Sequence, residues 1–182
     1  MKKIIFLLLC FFILTSCGDS TNSDDTSTTQ YTNENFKLNI LKSWTIVDNK
    51  NIPEIQNGKV ELAVSSSNVV AGFAENLVIL SEDLKEKTES KRYSIVNYAL
   101  STSTYLEFTK LNEKSITFPD KDESNLYIFE AKYNTATPKR RFLQTAKVCD
   151  KKVYLITIGV GADTINTTKY EDLITSFECV KK

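Results

Sequence analysis

Val153-Tyr154-Leu155-Ile156-Thr157-Ile158-Gly159-Val160, and shortly afterwards Thr168-Lys169-Tyr170-Glu171-Asp172-Leu173-Ile174-Thr175-Ser176-Phe177, decide the fold. The first run is apolar at both odd and even positions. A strand with one wet face would alternate, so this one is read as a central strand covered on each side. The second run changes period. Tyr170, Leu173, Ile174 and Phe177 fall at i, i+3, i+4 and i+7, the apolar stripe of a helix that packs on the sheet. Thr168 and Glu171 have the spacing of a capping box at its start. A buried strand followed by an amphipathic helix places the chain among proteins that mix sheet and helix around one core, the α+β class.

Working back from this pair, strands recur. Phe36-Lys37-Leu38-Asn39-Ile40 alternates at period two, and Trp44 to Val47 continues extended. Asn57-Gly58 tolerates positive φ at both residues, which predicts a tight hairpin turn between Glu54-Ile55-Gln56 and Lys59 to Val64. Another strand runs from Asn76 to Leu80, ended by Ser81-Glu82-Asp83. Ser90 to Phe108 has no Gly or Pro and sets Tyr93, Val96, Asn97, Leu100 and Thr104 on one stripe, a helix with Ser90 as N-cap. Extended runs follow at Ser115 to Phe118, Leu126 to Tyr133 and Arg141 to Cys149. In the middle one Tyr127, Phe129, Ala131 and Tyr133 share a face. The span 34–182 suffices for one domain with its own core.

The N-terminus has another logic. Lys2 and Lys3 precede an apolar run, Ile4 to Leu14, that is too short to span a bilayer, and Leu14-Thr15-Ser16-Cys17 places small residues before a cysteine. The pattern predicts a bacterial lipoprotein signal over 1–16, removed on export, with Cys17 lipidated. The competing reading is an ordinary cleaved secretory signal or an anchor helix. A polar tract after the cysteine favours lipidation, because diacylglyceryl transfer needs an accessible thiol in extended chain. Residues 17–33 are then the lipidated cysteine and a flexible tether, too polar to offset ordering entropy by burial. Its root-mean-square reach is roughly 20 Å. Two or three acyl chains on one sulfur make a stable attachment where one would be marginal. Gly18 replaces the Asp that would argue for inner-membrane retention in some two-membrane bacteria, so the expected location is the cell envelope, at the outer membrane where there are two.

Composition excludes more than it assigns. Loss of Lys2 and Lys3 leaves 21 basic residues against 23 acidic, a balance of −2 with the signs mixed, which is no surface for nucleic acid. Lys139-Arg140-Arg141 is the only basic triplet, read as a hairpin shoulder or a contact for anionic headgroups. The chain has no histidine, which removes Ser-His and Cys-His pairs and every His-ligated metal site. No catalytic residue, metal site or cofactor is assigned, and the protein is read as not an enzyme. Asp120-Lys121-Asp122-Glu123-Ser124 starts like a calcium loop, but Asn125 and Ala131 stand where Gly and Glu are needed, so it is read as a turn. Gly159-Val160-Gly161 lacks a third glycine and is read as a plain loop. Glu82-Asp83 is assigned to a turn, Glu171-Asp172 to the first turn of a helix. Cys10 leaves with the signal and Cys17 takes lipid, so Cys149 and Cys179 remain, as a disulfide or as two buried thiols. Among the tyrosines, two or three left exposed near a sheet edge would be the material for a recognition surface.

Phe36 to Trp44, Asn76-Leu77-Val78-Ile79, the middle helix, Lys147 to Thr157 and Tyr170 to Phe177 together resemble the PsbP-like superfamily, which includes DcrB-like bacterial lipoproteins and the eukaryotic Ran-binding Mog protein. Many relatives have a proline shortly before the Trp, where this chain reads Leu41-Lys42-Ser43. The resemblance implies an antiparallel sheet sandwiched by helices, α/β/α in a single domain, and mostly non-enzymatic roles in binding or stabilising larger assemblies. Two expectations follow. The first is a membrane-tethered binding or assembly module with a bilayer and an envelope protein as partners. The second is a small-ligand receptor or carrier with a pocket between sheet and helix. A hydrolase built on carboxylates or a Ser-Lys pair is a third.

Overall fold

A computed structural model of the chain describes residues 26–48, 58–70 and 72–180. The signal, Cys17 and the Asn57 turn with the strand before it lie outside the described residues. Ten strands and two helices follow in the order β1 (Thr28–Thr32), β2 (Phe36–Leu41), β3 (Trp44–Ile46), β4 (Lys59–Val70), β5 (Phe73–Asp83), α1 (Ser90–Thr104), β6 (Leu106–Thr117), β7 (Glu123–Lys132), β8 (Arg140–Cys149), β9 (Lys152–Gly161), α2 (Thr168–Thr175) and β10 (Glu178–Cys179). Seven strands form one sheet in the order β3-β4-β5-β9-β8-β7-β6, and β1-β2-β10 form a second. Every pairing is antiparallel.

β9 lies between β5 and β8, as its unbroken apolar run requires. Tyr154, Ile156, Ile158 and Val160 point into the main core and are buried. There they meet Phe36, Leu38 and Ile40 of β2 and Tyr170, Leu173, Ile174 and Phe177 of the α2 region. The opposite face of β9 is less covered than its sequence implies, because Leu155 and Thr157 are only half-buried. The domain is mostly antiparallel sheet with two helices, and the layer over the main core contains the small sheet as well as α2.

Several boundaries move. Thr28–Thr32, expected as the end of the tether, is instead a strand whose Tyr31 pairs with Leu38 and packs on the main core. The chain does not run straight from β2 into β3. It turns at Lys42-Ser43 and changes sheets. Ser81-Glu82-Asp83 continues β5, paired with Tyr154, Val153 and Lys152. Gly159 and Gly161 belong to β9, and a Cβ on Gly159 would lie 3.3 Å from the Asn76 side chain of its partner strand, so a larger residue there would require Asn76 to give way. At the start of α2 the cap is Thr167, one residue earlier than expected, and its hydroxyl donates to Glu171. Cys149 and Cys179 are joined by a disulfide, with Cα atoms 5.8 Å apart, which ties the end of β8 to β10.

The largest departure is α1. It ends at Thr104, and Glu89, not Ser90, is its N-cap. Its buried face is Ser90, Ser94 and Ser101, with Asn97 half-buried, whereas Val96 and Leu100 of the expected apolar stripe face solvent. The helix packs polar side inward on β7 and β8.

Candidate functional site

The polar inner face of α1 has a reason in the sheet beneath it. Gln144 of β8, paired with Tyr127 on one side and Thr157 on the other, projects its amide toward the helix. Its Oε1 accepts from Asn97 Nδ2 at 2.8 Å and from Ser101 Oγ at 3.0 Å, and its Nε2 donates to Thr157 Oγ1 at 3.0 Å. Each buried polar group thereby finds a partner, which an apolar helix face above Gln144 would not supply. The spacing of Ser90, Ser94, Asn97 and Ser101 is helical, and this serine stripe was the legible signal in place of the apolar one.

Beside this network a cleft of about 420 Å³ opens between α1 and the sheet, lined among others by Leu100, Thr104, Tyr105, Tyr133, Gln144 and Leu155. Leu100 is 61% exposed and Tyr133 75% exposed, so the mouth is apolar and aromatic while the floor is polar and closed on itself. Tyr105 joins the cleft to a second, aromatic core with its ring 5.7 Å from Phe129 and 5.2 Å from Phe142. Burial, and then the neighbouring Tyr133, push the Tyr105 hydroxyl above its ordinary pKa, so it stays protonated. Tyr98 stacks on Tyr127 with centroids 4.0 Å apart, and Lys110 lies over both rings. Of the tyrosines considered for recognition, only Tyr133 is fully exposed among the described residues. Tyr127 and Tyr154 are buried, and Tyr93, Tyr98 and Tyr105 are half-buried.

The polar clusters that chemistry would need are committed elsewhere. Lys147 is 1% exposed with its ammonium 2.7 Å from Asp120 Oδ2 and 2.8 Å from Asp122 Oδ2, above the Phe118 ring. Burial works upward on Asp120, but the Lys147 hydrogen bond, the Asp122 amide and the Lys147 charge outweigh it, and the carboxyl lies below its ordinary range. The expected turn is present, with Phe118 N donating to Asp122 O at 2.9 Å, and its carboxylates converge on this lysine. Ser90 Oγ donates to Asp122 and accepts from Val148 N at 2.7 Å. Serine and lysine thus share a carboxylate without touching, which is an arrangement for holding β8 to the start of α1. Glu82 accepts from the Tyr93 hydroxyl, and Glu171 takes Lys114. Neither member of the two adjacent carboxylate pairs faces its neighbour across a cleft. Arg141, from the basic triplet, binds Glu130 and the carbonyls of Ala162 and Thr164, which secures the loop after β9.

No protein-family model and no curated protein sequence matches this chain. Solved structures do. The solution structure of cyanobacterial PsbP (CyanoP) from Synechocystis superposes with a TM-score of 0.57 at 15% identity, over 92% of this chain and 99% of that one. A protein of unknown function, PA94, from Pseudomonas aeruginosa gives 0.56 at 10% identity, over 85% and 99%. The Saccharomyces cerevisiae Ran-binding protein Mog1p gives 0.55 at 8%, over 85% and 96%. With agreement over nearly the whole length of each neighbour, the chain shares the fold of CyanoP, PA94 and Mog1p.

Proposed function

We propose that this chain is a non-enzymatic binding or assembly module of a bacterial cell envelope, held at a membrane by acyl chains on Cys17. The observation that carries the reading is the cleft beside α1. Its apolar mouth at Leu100 and Tyr133 offers contact area to a partner, while Asn97, Ser101 and Gln144 on its floor bond to one another. The fold shared with a protein named for binding Ran supports a binding role without naming a partner for this chain. The test is affinity capture from detergent extract with the acylated protein, run in parallel with a Leu100→Asp/Tyr133→Ala variant. A specific envelope protein recovered by the first and lost by the second is the expected outcome. No specific protein, or one that both recover equally, refutes the reading. Intact-mass measurement of the membrane form checks Cys17 separately.

A cleft of this volume between helix and sheet also fits a small ligand, as the carrier reading requires. A thermal-shift screen distinguishes the two, since a ligand at a hundred times its dissociation constant adds about 2.7 kcal/mol.

A further inference from the structure

The strand registers sort the exposed apolar side chains by position. Val70 pairs with Phe73 at the tip of the β4–β5 hairpin, and Leu106 pairs with Lys132 where β6 begins and β7 ends. Arg140 pairs with Gly161 where β8 begins and β9 ends, and Ile165 follows in the next loop. These positions lie at one end of the large sheet. Val69, Val70 and Leu106 are exposed there, and Ile165 is 91% exposed. At the opposite end, where β4 begins and β5 and β8 finish, the described strand ends carry no large exposed apolar side chain, although Ile95 on the outer face of α1 is exposed nearby. The hairpin is also unusual in sequence, since residues 62–74 contain no charge in a chain that is 25% charged. Across the sheet, from β4 to β6, the apolar end spans five inter-strand steps, about 24 Å.

The chain also leaves the domain at that end. Thr28 pairs with Leu41, and Thr26 shares the rim of one surface depression with Asn166, the residue after Ile165. Nine chain steps separate Thr26 from Cys17, a reach of about 30 Å at full extension. The ten-residue strands are themselves about 33 Å long. To present the charged end to a membrane holding Cys17, the tether would have to be stretched straight along the whole domain.

We propose that the end carrying Val69, Val70, Leu106 and Ile165 seats on the bilayer that the acyl chains of Cys17 enter, which fixes the orientation of the domain. The proposal rests on the lipidation reading given above. Single exposed apolar residues such as Ile46, Ile95 and Leu111 elsewhere on the domain need no explanation, but four gathered at the end nearest Thr26 fit a lipid interface. Two cations of the basic triplet flank the set. Arg140 lies with its guanidinium 4.3 Å from the Phe73 ring centre, and Lys139 reaches Thr109 across the top of β6. Both are placed to meet headgroup phosphates while the apolar tips enter beneath them.

The test uses the full chain, acylated and reconstituted into vesicles of brominated phosphatidylcholine with a minority of phosphatidylglycerol. Trp44, the only native tryptophan, is buried, so an introduced indole reports its own surroundings. Val70→Trp and Ile165→Trp are compared with Lys87→Trp at the charged end. Bromine quenching at positions 70 and 165 at least about threefold above that at 87 is expected, given side-chain entry of several ångströms into the interface. Equal quenching at all three positions in a protein whose mass confirms acylation overturns the seat and leaves the anchor intact. Shielding of positions 70 and 165 that appears only as protein concentration rises, or only when an envelope protein is added, also overturns it, in favour of a second copy or a protein partner. A mass without acyl chains removes the anchor reading, and the seat falls with it.

Discussion

The two ends of the seven-stranded sheet are built on opposite terms. At the end where β8 finishes, polar groups are gathered and neutralised. Lys147 is enclosed by Asp120 and Asp122, Ser81 and Lys59 hold Glu61, Tyr93 donates to Glu82, and the Cys149–Cys179 disulfide closes the corner. At the other end apolar side chains stand in the open on hairpin tips and loops. The first end makes contacts within the molecule and should matter to stability. The second makes few and is available to something outside. If that division is real, substitutions at the two ends will move different measurements.

The largest expected effect belongs to the disulfide. It closes a loop of thirty residues, so Cys149→Ser with Cys179→Ser should cost about 3 to 4 kcal/mol in the chain-entropy model, read as a lowered urea midpoint. The same loss is expected on reduction of the native protein, and in both cases the slope should steepen, because the unlinked denatured chain is less compact. A cost near zero would mean that the corner is held by Phe36, Tyr154 and Phe177 alone, whose rings lie 5.0 to 5.3 Å apart.

Next comes Lys147. Lys147→Ala removes a buried cation and leaves two neighbouring carboxylates facing each other, which should destabilise by about 3 kcal/mol. Lys147→Met keeps the stem over Phe118 and should cost less at low pH than at neutral pH, because protonation relieves the repulsion. The sign for the native protein follows from Asp120. Its folded pKa lies below the unfolded value, so its contribution is present above about pH 4 and is lost as pH falls through the folded value. Asp120→Asn should therefore flatten the acid limb of a stability-against-pH curve. An unchanged limb would show that Asp122 alone holds the lysine.

Gln144 lies between the two ends. Gln144→Leu keeps the volume but leaves Asn97, Ser101 and Thr157 without their shared partner, an expected loss of about 2 kcal/mol in thermal denaturation. This residue also marks the limit of what the sequence disclosed. β9 and α2 were legible because burial of one face leaves a period in the apolar residues, and Tyr154, Ile156, Tyr170 and Phe177 carry it. α1 was misread for the same reason. Val96 and Leu100 repeat at helical spacing, but the side chains they were expected to meet are the amides and hydroxyls of Gln144 and Thr157, so the serines turn inward and the apolar residues turn out. A helix stripe can be found from one segment, whereas the polarity of the surface that receives it depends on a strand forty residues away. The cleft was legible only as the general expectation of a pocket between sheet and helix. Its lining comes from four separated segments, whose juxtaposition is a property of strand order. β1 was missed because its uncharged polar residues read as linker, and it gains order by pairing with β2 rather than from a run of its own.

The smallest expected effect is the one that most sharpens the contrast. Val69→Ser, Val70→Ser and Ile165→Ser, made together, remove apolar groups that already face water, so the melting temperature of the chain in detergent should change by no more than about 0.5 kcal/mol of equivalent stability. A single Leu173→Ala, by contrast, opens a hole in the main core and should cost about 3 kcal/mol. The triple variant should differ from the native chain in one property, protection of the β4–β5 hairpin from proteolysis on vesicles, which the native chain gains on membrane attachment and the variant does not. A triple variant that loses stability in detergent would show that the hairpin tip and the loop after β9 pack on the domain itself. In that case the open end would be a part of the core, and its contrast with the charged end would be one of composition only.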